Sequence, residues 1–319
     1  MSTSIGAAGS AMAHTKLDMV GFGGVSNLPI WVGMDKGLFA KEGLEVTLDR
    51  TPGSIAQMQN MMAGKYQVAS TSIDNIIAYT EKQGDVQIDN FDVVAVGGVH
   101  SGLNSVVVRP EIKSYRDIKG KPVAVDALGT GYAFVLFKVL EQNGLAFQKD
   151  YSVVSVGGGP ERLKALEEKK AVAAVMSAPN DIEAKEKGYN ILADAAKELG
   201  GYQGSAYAVR RSWAKDHEKE VVAWMRALVQ AHDWVFANKA ESLALLKKHV
   251  KGLDDKEANV IYTSLTSGAG GLNKHAEINM AGMKTVLALR GEYATPKKSL
   301  TDPNKYVDLS YQKKAAASK

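Results

Sequence analysis

The chain has 319 residues, long enough for two lobes with separate cores, and its 45% hydrophobic and 23% charged content is that of an ordinary soluble globular protein. A net charge of +4, from 39 basic and 35 acidic residues, is too mild to point to nucleic acid, and the cations are interleaved with acids, as at Glu167 and Glu168 within 164–170. With no cysteine there are no disulfides, thiolate metal sites, Cys nucleophiles or lipid-modified N-terminal Cys, and no apolar run approaches the roughly 18 residues of a membrane span.

Residues 5–13 are small and weakly apolar, and Ala11-Met12-Ala13 resembles an A-x-A cleavage site before His14, although a basic n-region and a strong apolar core are missing. The segment reads either as the remnant of a signal peptide or as a tail. From Leu17 the chain alternates strand and helix. Strands are expected at 17–22, 45–49, 68–71, 93–96 and 105–108, and helices at 28–39, 55–63 and 75–81. Leu28, Trp31, Val32, Leu38 and Phe39 recur at helical spacing, and Gly37 and Gly43 offer the positive φ that a helix end and a tight turn require. Arg109-Pro110 ends this run, because Pro donates no ladder bond and disfavours helix in the residue before it.

A second alternating block follows: strand 123–126, helix 132–142, strand 153–156, helix 161–169, strand 172–176 and a short helix from Asn180. A strand at 206–210 returns the chain to the first block. Beyond Trp213 the pattern is helical. Val221, Val222, Met225, Leu228, Val229, Trp234 and Val235 form one apolar face, and further helices are expected at 243–250, 257–265 and 278–289. The expected units are 17–107 as the first part of lobe 1, 110–203 as lobe 2, and 205–319 as the return to lobe 1 with C-terminal helices.

Four stretches carry a resemblance. The segment Gly33-Met34-Asp35-Lys36-Gly37-Leu38-Phe39-Ala40-Lys41-Glu42-Gly43-Leu44-Glu45-Val46 is one, Gly64-Lys65-Tyr66-Gln67-Val68-Ala69 another. Pro110-Glu111-Ile112-Lys113-Ser114 with Asp117-Ile118-Lys119-Gly120-Lys121 is the third, and Asn143-Gly144-Leu145 with 171–179 the fourth, where Ala173 replaces the usual Asp. Over roughly 17–306 the chain resembles the nitrate/sulfonate/taurine-type (thiamine-pyrimidine-synthase-like) periplasmic solute-binding proteins of ABC transporters. The resemblance implies an α/β, two-lobed periplasmic binding protein fold of type II, each lobe a mainly parallel sheet flanked by helices, with a helical C-terminal region. It also implies export to the periplasm, with the signal peptide absent or truncated, so 1–13 is read as a remnant.

In open parallel α/β sheets ligands gather at the carboxyl ends of strands, and clefts between domains are favoured sites. Gly129-Thr130-Gly131-Tyr132 follows a strand and starts a helix, so its amides suit a carboxylate, sulfonate or nitrate oxygen; a plain turn with Thr130 as N-cap is the other reading. Ser26 and Asn27 stand at the first strand–helix loop, Ser54 at the next, and Ser72 and Asp74 after the third strand, all equally able to cap helices. Asp74 can alternatively accept a hydrogen bond from an amine on the ligand. Phe22 and Tyr132 are candidate cleft walls, His100 lies near the crossing between lobes, and Asn180 beside Pro179 is the expected contact from lobe 2. Six scattered histidines with no H-x-x-x-H or H-x-H pair make a metal site unexpected.

The expected function is therefore a non-catalytic binding protein for a small organic or oxo-anion. Its partners would be that ligand and an ABC-transporter permease, with no nucleic acid and no cofactor, and the chain is expected to be a monomer. No G-x-S-x-G, dinucleotide fingerprint or His–carboxylate pairing speaks for catalysis. The alternative is an enzyme or precursor-binding protein like the thiamine-pyrimidine synthases, whose Cys-rich motif this chain lacks.

Overall fold

A computed structural model describes residues 14–317, so the Ala11-Met12-Ala13 segment lies outside the described residues. The first half runs β1 (Thr15–Gly21), α1 (Leu28–Asp35), α2 (Leu38–Lys41), β2 (Leu44–Arg50), α3 (Ser54–Met62), β3 (Val68–Ser72), α4 (Ile73–Thr80) and β4 (Val93–Gly98). The helix expected over 28–39 is broken into α1 and α2, because Gly37 adopts φ 65° and starts a new turn. Gly43, at φ 73°, then turns the chain into β2.

The second half runs β5 (Ser105–Val108), β6 (Pro122–Val125), α5 (Gly131–Gln142), β7 (Ser152–Ser155), α6 (Gly159–Glu167), β8 (Ala173–Met176), α7 (Asn180–Glu186), β9 (Asn190–Asp194) and α8 (Ala195–Glu198). After β10 (Ser205–Arg210) the chain is helical: α9 (Arg211–Asp216), α10 (Glu218–Ala237), α11 (Lys239–His249), α12 (Asp255–Ser267), α13 (Met280–Tyr293) and α14 (Ser310–Ala317).

Two five-stranded sheets result, ordered β2-β1-β3-β10-β4 and β7-β6-β8-β5-β9. In the first, β10 alone runs antiparallel to its neighbours β3 and β4; in the second, β5 does the same between β8 and β9. Each sheet thus receives one reversed strand immediately after the chain arrives from the other. Strand 105–108 was expected in the first lobe. It pairs instead with β8 and β9, so the first crossing lies at 99–104 and the second at 195–204. Val106, Val107 and Val108 are fully buried, and such an apolar run reads as a central strand without revealing which sheet it enters. Strand β9 had no counterpart in the expected elements, because Asn190-Ile191-Leu192-Ala193-Asp194 is a short, half-exposed edge segment.

The helices after β10 pack largely on the first sheet's side: α10 lies against α1, α2 and α14 around buried Trp224, Tyr207 and Leu228. Helix α13 differs, packing on α4 of the first lobe and α5 of the second, so one hydrophobic core runs continuously from Ile76 and Ile77 through Val286 and Leu287 to Phe134 and Phe137. Within it Arg290 of α13 has no exposed surface. Its Nε and Nη2 each donate to one oxygen of Asp74 at 2.6 Å, Nη2 also donates to the Gly129 carbonyl at 2.9 Å, and the guanidinium lies 5.1 Å from the centre of the Phe134 ring.

A forked, fully desolvated pair of this kind is costly to break from one side, since the remaining charge is left buried and alone. Asp74→Ala or Arg290→Met should each lower stability by about 3–5 kcal/mol. The double variant should cost less than the sum of the two. Urea denaturation of the four proteins measures this, and single-variant losses under about 1 kcal/mol would show that the pair does not hold the core.

Candidate functional site

A cleft with about 670 Å³ of atom-free space, its open mouth included, lies between the two lobes. On the first-lobe side it meets the loop 23–26 between β1 and α1. This loop exists because Gly24 takes φ 146°, a conformation open to glycine, and it feeds a short 3-10 turn continuous with α1. The first turn of such a helix presents unsatisfied N–H groups and the positive end of the helix dipole. The Arg50 guanidinium packs closely against Gly23 and adds positive potential behind the same loop.

The crossing segment contributes His100, Gly102, Leu103 and Asn104. His100 is buried, and its Nδ1 accepts the backbone N–H of Gly102 at 3.1 Å and of Leu103 at 3.4 Å. Burial pushes its pKa down to about 4, so the ring is neutral near pH 7 and its proton sits on Nε2. His100 is therefore a neutral donor to the cleft. The two crossings are tied together beneath it: Gly204 N–H and the Gln203 amide both donate to the His100 carbonyl, at 2.9 and 3.1 Å. Gln203 also donates to Asn273 Oδ1 at 3.3 Å, and Asn273 donates to Ser101 Oγ at 2.9 Å. Fully buried His232 completes the network, donating from Nδ1 to the Asn273 carbonyl at 2.7 Å and accepting the Tyr207 hydroxyl at Nε2, 2.9 Å away.

From the second lobe come Ser105, Tyr132, Ser177 and Ala178, with Asp181 and Asp194 as the acidic members. Burial pushes the Tyr132 phenol up to about 12, so it remains a hydroxyl donor. Asp181 accepts the Ser105 hydroxyl at 2.8 Å and the Ile182 N–H at 2.9 Å, and burial raises its pKa above the ordinary carboxylate value. Asp194 caps α8 through the Lys197 N–H at the exposed rim. The remaining wall is C-terminal: Ile261, Ser264 and Leu265 of α12, with Gly268 and Gly270 following. Gly270 rests on the Gly102 carbonyl so closely that no side chain fits between them. Among the described residues no lysine or arginine lines the cleft.

Of the residues expected from sequence, Ser26, His100 and Tyr132 come together here. The others lie off the lining. Phe22 is partly exposed, and Asn27 is buried behind the loop, donating to the Phe22 carbonyl at 2.7 Å. Ser54 opens α3, whose cap is Gly53, and Ser72 precedes α4 without a side-chain cap bond. Asp74 is paired with Arg290, and the Gly129 carbonyl shares the same guanidinium. Thr130 caps α5, accepting from Ala133 and donating to Asp126 at 2.6 Å. A Cβ on Gly131 would stand 2.6 Å from Asp74 Cγ, so the chain's own carboxylate lies beside the helix start where a ligand oxygen was expected. Asn180 opens α7 with its amide against Gly159. Sequence reasoning missed Asn104, Ser105, Ser177, Asp181 and the α12 wall. Ser177 and Asp181 had a signal only through their neighbours, since they flank Pro179 and the chosen Asn180. Among the described residues no group of three or more His, Cys, Asp or Glu is arranged to hold a metal ion, and no helix is long and apolar enough to cross a membrane.

The family model described as NMT1/THI5 like matches residues 26–242, more than half of the chain. The chain belongs to the NMT1/THI5-like family. It is 23% identical over 242 residues to the putative binding protein YtlA of Bacillus subtilis (strain 168), a match covering 74% of this chain and 70% of that one. It is also 23% identical over 241 residues to the 4-amino-5-hydroxymethyl-2-methylpyrimidine phosphate synthase of Uromyces fabae, covering 68% and 65%. Among solved structures it shares its fold with the periplasmic nitrate-binding protein NrtA of Synechocystis PCC 6803, at TM-score 0.76 and 14% identity over 95% of this chain and 89% of that one. The family match ends before α12, so part of this cleft is built from residues beyond it.

Both buried histidines bear on stability. His100 and His232 have folded pKa values lowered from 6.5 to about 4, chiefly by burial. Below about pH 6.5 the unfolded chain takes up protons that the folded protein refuses until about pH 4, so stability present above that window is lost across it. The urea midpoint should fall steeply between about pH 7 and about pH 4.5. A His100→Asn/His232→Asn double variant should show a flatter slope whatever its absolute stability, and an unchanged slope would remove these two groups as the cause.

Proposed function

We propose that this NMT1/THI5-like protein is the non-catalytic solute-binding component of an ABC importer, working outside the cytoplasm and handing a small organic acid to a membrane permease. The observation that carries this reading is the cleft, with walls from both lobes and the first crossing, 99–104, for its floor. A solute there touches both lobes and favours whichever arrangement lets both make contact. The putative binding protein from Bacillus and the nitrate-binding protein from Synechocystis support the same role.

The acid oxygens belong at the first-lobe side. The start of the first helix, Ser26 and His100 line the cleft there and offer neutral donors, with Arg50 behind Gly23. The other solute walls, Tyr132, Leu103, Ile261 and Leu265, supply apolar surface.

The Uromyces synthase favours a second reading, a pyrimidine-synthase-like enzyme of the same fold. The arrangement of groups argues against it. His100 Nδ1 is engaged by two backbone N–H groups and burial pushes its pKa down to about 4, which makes it a poor base, and among the described residues no lysine lines the cleft as a nucleophile.

Native mass spectrometry of freshly purified protein, followed by a thermal-shift screen of sulfonates, carboxylates and nitrate, tests the proposal. A ligand at 100 times its dissociation constant stabilises by about 2.7 kcal/mol, which is easily read. Ser26→Asp, which sets a like charge against the acid group, should weaken binding by about tenfold or more with an unchanged circular dichroism spectrum. Full affinity in that variant would remove the first-lobe loop as the acid's seat, and chemical conversion of the captured molecule during incubation would favour the enzyme.

A further inference from the structure

Helix α7 of the second lobe meets helix α12 of the first across the cleft. Ala178 and Ile182 pack against the core on the first sheet's side, the one that contains Ile261 and Leu265 of α12. Ile182 and Glu186, four residues apart, share a face of α7, and Glu257, Ile261 and Leu265 share a face of α12. At one end of these faces Ala178, Ile261 and Leu265 line the cleft together. At the other end the carboxyl groups of Glu186 and Glu257 are hydrogen-bonded to each other. The lobes therefore touch through an apolar contact that finishes in a pair of acids.

An ionised carboxylate only accepts hydrogen bonds, so two carboxyl groups bond to each other only when one of them holds a proton. Glu257 is fixed in place by the capping box of α12. Its carboxylate accepts the Asp254 N–H at 2.7 Å, and its own N–H donates to Asp254 Oδ1 at 2.7 Å. Glu186 ends α7, at the negative end of that helix. Of the charged groups facing it from α12, Glu257 and Asp254 disfavour its ionised form and Lys256 favours it. On its own helix it is flanked by Lys185 and Lys187, and Lys187 is already engaged by Glu167 and Glu183. The hydrogen bond with Glu257 is the main cause that holds the Glu186 carboxyl above its ordinary pKa.

We propose that α7 and α12 form an acid-set latch between the lobes, which closes when Glu186 and Glu257 share a proton and is pushed apart when both are ionised. The latch rests on the solute-binding reading for its use, since closure about a solute is the motion it biases. Its sign follows from proton linkage. Glu186 holds a proton more tightly with Glu257 against it than when the lobes part, so closing takes up a proton and the closed arrangement gains as pH falls. Glu186 is exposed and Glu257 half-buried, so the bias is that of a surface pair, about two- to fivefold in the ratio of closed to open protein.

The chain has no cysteine, so a Val260→Cys/Ile191→Cys variant carries two spin labels at chosen places, on α12 and on β9 beside α7. Both positions are exposed and uncharged. Pulsed dipolar spectroscopy of this solute-free full chain should show a shorter separation that gains about two- to fivefold over a longer one between about pH 8 and about pH 5. Glu186→Gln in the same background donates to Glu257 without needing a proton and should favour the shorter separation at both pH values. Glu186→Lys should reverse the trend, because its attraction to Glu257 is lost as Glu257 is protonated. His100, His232 and Asp181 are common to all three proteins and do not account for such differences, and circular dichroism checks that each is folded. Separations that ignore pH in the labelled parent, or a pH response that survives Glu186→Gln, overturn the latch and leave the solute-binding reading standing. The full pattern in a protein that captures no acid in the thermal-shift screen supports the latch while the solute-binding reading falls.

Discussion

Arg290 imposes the constraint around which the two lobes are arranged. A guanidinium with no exposed surface has five N–H donors to satisfy and a charge to neutralise, and a single segment rarely meets both needs. Here Asp74 of α4 takes the fork, the Gly129 carbonyl takes a further donor from Nη2, and the Gln83 carbonyl receives Nη1 at 3.5 Å, while the Phe134 ring lies beneath. These partners come from both lobes, so α13 fastens the start of α5 to the first lobe. Gly131 must then lack a side chain, because Asp74 occupies the space, and the next residue, Tyr132, is the one that meets the cleft. A turn whose composition suits an external anion is used to complete an internal ion pair.

The cleft floor obeys a related rule with neutral groups. Two crossing strands bring backbone and amide groups into the interior, where each must find a partner. Gln203, Asn273, Ser101 and the paired Tyr207 and His232 answer one another, and the C-terminal segment joins them through Asn273 N–H to the Val99 carbonyl at 3.0 Å. A satisfied polar network of this kind defines a unique geometry without introducing net charge. His100 belongs to it by its backbone and Nδ1 and to the cleft by Nε2, which couples the shape of the floor to the chemistry above it.

Against this neutral floor the polarity of the cleft stands out. Its positive side depends on backbone and on an arginine behind a glycine loop, and its negative side on carboxylates of the second lobe. Relatives sharing the fold at low identity need not share that distribution, since loop residues, which vary more freely than the sheets, supply much of it.

The residues alone determined the alternating elements, the turns at Gly37 and Gly43, the family phrases and the two-lobed class, because these depend on spacing and local backbone preference along a short stretch of chain. Ser26, His100 and Tyr132 were legible as cleft residues for the same reason: each lies at the end of a strand or the start of a helix. Tertiary structure decided the rest. Whether 105–108 joined the first or the second sheet depended on pairing with β8 and β9, far along the chain. Whether Asp74 faced a ligand or an internal cation depended on Arg290, 216 residues away. Likewise Ser264 and Gly270 are unremarkable in sequence and became part of one cleft only when α12 and the segment after it were brought to the first crossing. Local spacing encodes which face a residue occupies, but the partner it meets there is set by long-range packing and by the need to satisfy each buried charge.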